Sequence, residues 1–519
     1  MLHTPRWMVL VALTGILTSC LMACGDDGGS EANNGGPNNG LLNNGNNGNN
    51  GNNSNNGNNG NNGNNEPSVE TDFGITYVAR NRNEVPGIER GGKLYLISSD
   101  GTEQVQVNPD GVECHLGCRV SDDYAWFVWV EEGGAGTELK VAPITSFGYD
   151  GVQVDLSGER TIATDAPSFE VHGSTIAYTS SSFDVYAGEL PGDDAAALGK
   201  VGDPEGTQGG FQLSADGKAV VTWTVTLTTM TMTLHDLEAG TSQEGFYTLA
   251  SEGFGGTGSF YGPREKMAIS PDHRYLAIVS RGLVDTNPCT TNDQCIAPAA
   301  CSLATARCTE QRLTLNMIDL NAIDRLDASC TSDNECGFSH FCDFADPADP
   351  ASGKCLPGRL DLGPAGPAAQ DCNGYVDGNF TEIRDDLSWS PSSQTLYFLG
   401  ADKCANLNIP RTAILKTTPK LANPEVVLEN AGLDFAPENC YDFDEEEYVV
   451  ESPDCVLDIR QMALAPTGAT IVFSASSPSA AANLELYSID TAGSRGKFRY
   501  VETENIESVV EQVRAGTEP

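Results

Sequence analysis

The chain repeats a pattern in which a polar turn is followed by a burst of apolar, β-branched and aromatic residues. The clearest copies are LSADGKAVVTW from Leu213, AISPDHRYLAIVS from Ala268, LSWSPSSQTLYFLG from Leu387 and ALAPTGATIVFSA from Ala463. Weaker copies begin at Arg119 and Phe169, and DFGITYVAR from Asp72 keeps only the strand half. Because Asp-Gly and Pro-Asp favour turns and β-branched residues suit a sheet packed on both faces, each copy predicts two strands joined by a tight turn.

Further strands follow most copies, as in Arg312–Leu320 and Leu484–Gly493. Four antiparallel strands in about 40 to 50 residues are typical of a β-propeller blade. The apolar centres of the second strands are Ile75, Trp126, Ile176, Val220, Leu276, Leu396 and Ile471. We therefore predict an all-β, seven-bladed propeller over residues 68–510, with six blades as the alternative and 511–519 as a C-terminal tail. Ring closure is expected to pair Gly74–Arg80 with Gly496–Glu504.

The segments Ser214–Lys218, Ser270–Ile278 and Ser390–Phe398 resemble the WD-like propeller repeats of the TolB type. Such repeats occur in periplasmic proteins and in the substrate-gating domain of prolyl oligopeptidases. The resemblance implies the fold and leaves the function open. Asp216 and Asp272 match the turn aspartate of the repeat, so we expect their side chains to cap turn amides rather than to do chemistry.

Residues 1–23 are interpreted as an export signal, because Arg6 precedes an apolar stretch that is too short to span a bilayer. Leu21–Cys24 resembles the lipobox of bacterial lipoproteins, which implies cleavage before Cys24 and lipidation of that residue. A second lipobox ending at Cys20, or an ordinary secretory signal, is the alternative. Residues 24–67 contain an Asn/Gly-rich tract without an apolar face, which predicts a disordered tether.

The formal net charge of −43 excludes nucleic acid and anionic lipid as main partners, since such a surface repels both. Together with the lipobox, it favours a protein of the cell envelope, attached to the membrane through its lipid. Gly25 after the lipidated cysteine favours the outer membrane, by analogy with known sorting rules. The periplasmic face and the cell surface both remain open.

Sixteen cysteines in an exported chain predict disulfides, and fourteen remain after Cys20 and Cys24 are set aside. Eight form two C-x5-C-x5-C groups, in insertions at 286–312 and 328–358, that look like the four-Cys modules of exported bacterial proteins. We expect first-to-third and second-to-fourth pairing, one of three connectivities. Zinc is the weaker alternative, because its sites favour C-x2-C spacing. The eight cysteines are Cys289, Cys295, Cys301, Cys308, Cys330, Cys336, Cys342 and Cys355.

The other six cysteines are expected to form the local pairs Cys114 with Cys118, Cys372 with Cys404, and Cys440 with Cys455. Both four-Cys modules flank Arg312–Leu320, so we expect them to project from one rim of a single blade. There they would either brace the blade or form a recognition surface.

Candidate chemistry is sparse. The histidines of the mature chain are scattered and show no metal-ligand spacing, and no G-x-S-x-G elbow occurs. Calcium is possible at either of the acidic loops Asp442–Glu447 and Asp371–Glu382, although the second fails the EF-hand template because Val376 stands where glycine is needed. We therefore expect no cofactor and no catalytic residue. The histidines are His115, His172, His235, His273 and His340.

The sequence thus favours a lipid-anchored binding or scaffold protein whose propeller recognises an envelope protein, a peptide or a glycan. One alternative is a lactonase-, lyase- or hydrolase-like enzyme, which would need His172, His235 or His273 beside a carboxylate at the channel. Another is a surface adhesin that uses the four-Cys modules.

Overall fold

Only part of the chain is described by the computed structural model, and all of it falls in the unit Asn65–Pro519. The described residues are 73–81, 92–114, 117–133, 136–201, 209–225, 229–250, 267–291, 294, 300–302, 307–344, 353–360, 362, 382–401, 412–421, 424–429, 441–442, 447–448, 459–477, 480–492, 498–499 and 506–515. Outside them lie the predicted signal peptide, Cys24, the tether, His115, Cys295, most of both acidic loops, and the pairs Cys372 with Cys404 and Cys440 with Cys455.

Seven blades, each built on antiparallel strands, form the predicted all-β propeller. Blade 1 begins with β1 (Phe73–Asn81), β2 (Lys93–Ser98) and β3 (Gln104–Gln106). Blade 2 contains β4 (Cys118–Val120), β5 (Trp126–Gly133), β6 (Gly136–Ser146), β7 (Gln153–Val154) and β8 (Arg160–Thr164). Blade 3 contains β9 (Ser168–His172), β10 (Thr175–Thr179), β11 (Asp184–Glu189) and β12 (Ala196–Lys200). Blade 4 contains β13 (Gly209–Leu213), β14 (Ala219–Val225), β15 (Thr229–Asp236) and β16 (Thr241–Ala250).

The second half of the chain completes the ring. Blade 5 contains β17 (Met267–Ile269), β18 (Tyr275–Pro288), β19 (Ala300–Ser302), β20 (Arg307–Asp319), β21 (Ser329–Cys330), β22 (His340–Phe344) and β23 (Gly353–Leu360). Blade 6 contains β24 (Glu382–Trp389), β25 (Leu396–Ala401), β26 (Thr412–Thr417) and β27 (Glu425–Glu429), followed by a ribbon of β28 (Tyr441–Asp442) and β29 (Glu447–Tyr448). Blade 7 contains β30 (Ile459–Leu464), β31 (Thr470–Ser477), β32 (Ala480–Asp490) and β33 (Phe498–Arg499), and β34 (Ile506–Ala515) completes blade 1.

Short 3-10 helices occur at Leu156–Gly158, Leu320–Arg325 and Asp333–Glu335. In the described part of the chain, no helix combines the length and apolar character needed to cross a membrane.

Among the described residues, one hydrophobic cluster lies between each pair of neighbouring blades. Strand β18 shows why. Leu276 and Ile278 pack against blade 4, whereas Tyr275 and Ala277 pack against blade 6. Because successive side chains of a strand point to opposite faces, a strand buried on both sides needs apolar residues at consecutive positions. The apolar runs of the repeat are therefore explained by blade-to-blade packing.

The ring closes through β34 rather than through the expected Gly496–Glu504. Strand β1 pairs with β34 in antiparallel register, from Phe73 opposite Ala515 to Asn81 opposite Ile506. Of the expected segment, Phe498–Arg499 instead pairs with β32 inside blade 7. The prediction of the closing strand was wrong because blade 7 uses that segment to complete its own sheet, so that the chain must run further before it reaches β1.

The two four-Cys insertions lie at opposite ends of blade 5, so the expectation of one shared rim was also wrong. The first joins β18 to β20, next to the pair Pro288 and Arg307, whereas the second joins β20 to β23, next to the pair Tyr275 and Asp319. Successive connections of an antiparallel sheet alternate between its two ends. Two insertions in consecutive connections therefore cannot share a rim.

Candidate interaction site at the inner-turn rim

The turn between the first two strands of a blade has a recurrent hydrogen-bond network. In blade 4, Ser214 Oγ donates to Asp216 Oδ1 (2.7 Å) and accepts from the amide of Ala219 (2.9 Å). Asp216 Oδ1 also accepts from the amide of Lys218 (3.1 Å). In blade 5, Asp272 Oδ1 accepts from the amide of Arg274 in the same way (3.2 Å). The predicted capping role of the turn aspartates is confirmed.

We call the turns 121–125, 172–174, 214–218, 270–274, 390–394 and 465–469 the inner-turn rim, since they join the first to the second strands of blades 2 to 7. Hydrogen bonds join neighbouring turns: Asp122 N donates to Gly173 O (3.1 Å), His273 Nε2 lies 2.8 Å from Asp216 Oδ1, and Asp272 N donates to Ser393 Oγ (3.0 Å). Because the first strand of each blade is innermost, these turns surround one mouth of the central channel.

His273 occupies a strained position in this rim. Its φ is 55°, and the equivalent positions of blades 4 and 7 are Gly217 and Gly468, with φ of 73° and 78°. A non-glycine residue in this left-handed region costs about 1 kcal/mol. The imidazole of His273 bonds Asp216 in the next blade, an interaction that glycine could not make. The strained residue therefore links blade 4 to blade 5.

The other two histidines of the enzyme alternative are placed differently. His235 is 4% exposed and lies inside blade 4, where Nε2 is 3.0 Å from Thr222 Oγ1 and Nδ1 is 2.8 Å from Ser242 Oγ. Burial lowers the pKa of His235. His172 lies in the turn of blade 3, where its carbonyl packs against Gly217. The structure thus brings His172 and His273 to the same rim and leaves His235 within a sheet.

Acid stability should report the link between His273 and Asp216. Burial by itself would raise the pKa of Asp216, but hydrogen bonds from Ser214, His273 and the amide of Lys218 outweigh burial and lower the pKa. A carboxyl with a lowered pKa in the folded state stabilises the fold above its unfolded pKa of about 3.9, and this contribution is lost as the pH falls through the folded pKa. We expect Asp216→Asn to lower the free energy of unfolding at pH 7 by about 1 kcal/mol and to flatten its decline between pH 5 and pH 3.

Urea denaturation at several pH values measures this effect. Asp193→Asn is the control, because Asp193 is exposed and pairs with Arg160 at the surface. If the free energy of unfolding fell equally steeply with pH in wild type and Asp216→Asn, the stabilising role of the ionised Asp216 carboxylate would be contradicted.

Four disulfides are resolved in the described residues. The second module joins Cys330 to Cys342 and Cys336 to Cys355, the expected first-to-third and second-to-fourth pairing. The remaining two are Cys289 with Cys301, which is the first-to-third pair of the first module, and Cys114 with Cys118. Cys308 is also disulfide-bonded. Three sulfurs of the second module lie within 4.8 Å of one another, but they are bonded in these disulfides and are not thiolates that could hold zinc.

Buried polar contacts fix the second module to the end of β20. Asp319, 2% exposed, accepts from the amides of Asn321 (3.1 Å) and Phe338 (3.3 Å). The amide of Asp319 donates to His340 Nε2 (3.0 Å), and His340 Nδ1 donates to the carbonyl of Cys336 (3.0 Å). Burial lowers the pKa of His340, so the ring is neutral and one nitrogen remains an acceptor. The module therefore braces blade 5.

The docked module presents Phe338 next to the inner-turn rim. Gly337, with φ of 115°, allows this approach, since an added Cβ would lie 2.7 Å from Ala322 Cβ. The side chain of Phe338 is 45% exposed. The guanidinium carbon of Arg274 lies 5.3 Å from the Phe338 ring centroid, and Lys420 Nζ lies 4.4 Å from it. We call Arg274, Phe338 and Lys420 the rim patch.

The rim patch could not be predicted from the sequence, although a recognition surface on the second module was one of the two expectations. Arg274 comes from the first turn of blade 5, Phe338 from the insertion between β20 and β23, and Lys420 from the turn between β26 and β27. No spacing pattern links these three positions. The only available signal was an aromatic residue in the second module, at a position that could equally have been buried.

The chain matches no protein-family model and no curated protein. Solved structures with similar folds include tricorn protease (10% identity, TM-score 0.40, covering 80% of this chain and 33% of that one). Another is a functionally unknown protein from Desulfotomaculum acetoxidans (11% identity, TM-score 0.42, covering 86% of this chain and 100% of that one). A third is oligogalacturonate lyase from Vibrio parahaemolyticus (10% identity, TM-score 0.40, covering 83% of this chain and 86% of that one). The chain spans about a third of the length of tricorn protease. These likenesses assign no activity to it.

Proposed function

We propose that the protein is a lipid-anchored component of the cell envelope, on the outer membrane, whose propeller binds another envelope protein through the rim patch. The observation that carries the proposal is the exposed ring of Phe338, bracketed by Arg274 and Lys420 and presented by a disulfide-bonded module. Aromatic residues and arginine are enriched among the residues that contribute most to protein interfaces.

Rigidity supports this function. Binding loses less conformational entropy when the contact residues are already held in place. The backbone amide of Phe338 is fixed by Asp319, and the neighbouring Cys336 is bonded to Cys355. Loops held on a ring of blades are a general way of presenting a recognition surface. The predicted lipid on Cys24 and the Asn/Gly tether would supply membrane attachment and reach.

In-cell photo-cross-linking at position 338 tests the proposal. A benzophenone amino acid replaces Phe338 in one strain and Leu156 in another, since Leu156 is a comparably exposed apolar residue (40%) in blade 2. We expect one envelope protein to be cross-linked from position 338 and not from position 156. The product should be lost with Cys24→Ala, because this variant lacks the lipid proposed to anchor the protein in the outer membrane.

The captured protein is then purified and its affinity for the chain is measured. Phe338→Ala should weaken binding by at least about tenfold, the usual effect for a central aromatic contact. Leu156→Ala should leave the affinity unchanged. The proposal is overturned if position 338 gives no product, or if positions 338 and 156 capture the same set of proteins.

The adhesin alternative is also tested by Phe338→Ala and Leu156→Ala, and not by deleting residues 286–358, the span of the two four-Cys insertions. That deletion would remove β20 and β23, two of the strands on which blade 5 is built. It would therefore abolish adhesion by unfolding the blade, whatever the function of the module. Phe338→Ala changes the exposed ring and leaves both disulfides in place.

A further inference from the structure

The guanidinium of Arg274 is held between aromatic rings, but its hydrogen-bond donors are not all paired within the described residues. Its central carbon lies 5.0 Å from the Tyr275 centroid and 5.3 Å from the Phe338 centroid, so two aromatic rings fix its position. Its Nε atom is buried and has no hydrogen-bond partner among the described residues. Nη2 lies 3.5 Å from Asp319 Oδ2, a longer separation than that of a charge-assisted hydrogen bond. Because the side chain of Arg274 is 40% exposed, the outer nitrogens of its guanidinium can donate to a further acceptor.

The rim patch presents two cationic side chains, Arg274 and Lys420, within a strongly acidic chain. Asp319 offsets one positive charge, but its carboxylate is buried and already accepts two backbone amides. The carboxylate of Asp272 is held in its own turn by Ser270 and the amide of Arg274. Lys420 is exposed, and its ammonium lies over the Phe338 ring. An anionic group at the patch would meet two cations beside an apolar ring.

We propose that Arg274 and Phe338 form a subsite for a carboxylate, flanked by an apolar side chain, on a protein partner whose surrounding surface is basic. This inference rests on the proposed function and specifies the partner. A guanidinium matches a carboxylate geometrically, and the exposed part of Phe338 suits an adjacent apolar group. The basic surroundings follow from the net charge of −43, which repels an acidic partner.

A protein carboxylate fits the patch better than the uronic acid of a glycan. A sugar ring would stack against an aromatic face, but Arg274 and Lys420 lie over the Phe338 ring.

Saturation-transfer NMR with 3-phenylpropionate tests the subsite on the exported chain from Gly25 to Pro519, made without its lipid. We expect saturable binding with a Kd of about 1 mM, as for other fragments of this size. The neutral analogue 3-phenylpropionamide should bind at least about tenfold more weakly, because it lacks the charge.

Two variants locate the binding. Arg274→Lys keeps the charge opposite Asp319 but removes Nε and the planar fork, so affinity should fall about tenfold. Lys420→Gln, at an exposed position, should weaken binding several-fold and serves if Arg274→Lys does not fold. Arg160→Lys is the matched control, since Arg160 is exposed and pairs with Asp193, and it should leave the affinity unchanged.

Equal binding of the acid and the amide, or wild-type affinity in Arg274→Lys, would overturn the carboxylate subsite. If Arg274→Lys does not fold, wild-type affinity in Lys420→Gln would overturn it. If glucuronate bound as tightly as 3-phenylpropionate, the proposal of a protein carboxylate would be overturned in favour of an acidic glycan. Because the titration uses the chain alone, these failures are distinct from a failure of cross-linking at position 338.

Discussion

Deleting residues 506–519 is expected to abolish the cooperative folding of the propeller. The deletion removes β34, which pairs with all of β1 from Phe73 to Asn81 and is needed to complete blade 1. It opens the ring and exposes the cluster that packs Ile75 and Ile97 against Val472. We expect the truncated chain to lose most of the free energy of unfolding, which is on the order of 5 to 15 kcal/mol for a folded domain.

Guanidinium denaturation followed by tryptophan fluorescence, together with size-exclusion chromatography, measures this loss. Deletion of 516–519 is the matched control, because it shortens the same terminus and leaves β34 whole. We expect the control to unfold at the wild-type midpoint. If the longer deletion also kept that midpoint and eluted as a monomer, closure through β34 would not stabilise the ring.

Replacing Cys336 and Cys355 by alanine is expected to cost about 3 kcal/mol, because the disulfide closes a segment with a sequence separation of 19. The buried contacts of Asp319 and His340 should loosen at the same time, since His340 Nδ1 donates to the carbonyl of Cys336. Urea denaturation measures the stability, and limited proteolysis should reveal new cleavage between residues 320 and 358.

The pair Cys114 and Cys118 gives the matched comparison. Both of its cysteines are also buried, but their separation is only 4, so alanine replacement is expected to cost about 2 kcal/mol in chain entropy. Cleavage within 320–358 should stay at the wild-type level in that variant. Resistance of the Cys336→Ala/Cys355→Ala protein to proteolysis would show that packing alone holds the second module.

The number of blades could be predicted because their strands are local and repetitive. Each second strand around Trp126, Ile176 or Leu276 carries its own turn signal and apolar run, so no distant residue is needed to recognise it. The turn aspartates Asp216 and Asp272 were assigned correctly for the same reason, since they cap amides within two residues. The pairing within the second module follows from spacing that is equally local.

The misplaced features depend on contacts between distant parts of the chain. Gly496–Glu504 was expected to close the ring because its composition suits a strand, but composition does not specify which edge a strand joins. The shared rim of the two four-Cys modules failed because nearness in sequence was taken as nearness in space. In an antiparallel blade, consecutive connections lie at opposite ends.

The sequence by itself thus determined the strands, the turns, the seven-fold repetition and the cysteines of each module, since apolar runs and turn chemistry act over a few residues. Only the tertiary structure decided that β34 closes the ring and that Arg274, Phe338 and Lys420 meet at one rim. The physical reason is that these contacts depend on which sheet edges and sheet ends become neighbours once the ring has closed. That arrangement is a property of the whole ring, and no local stretch of residues encodes it.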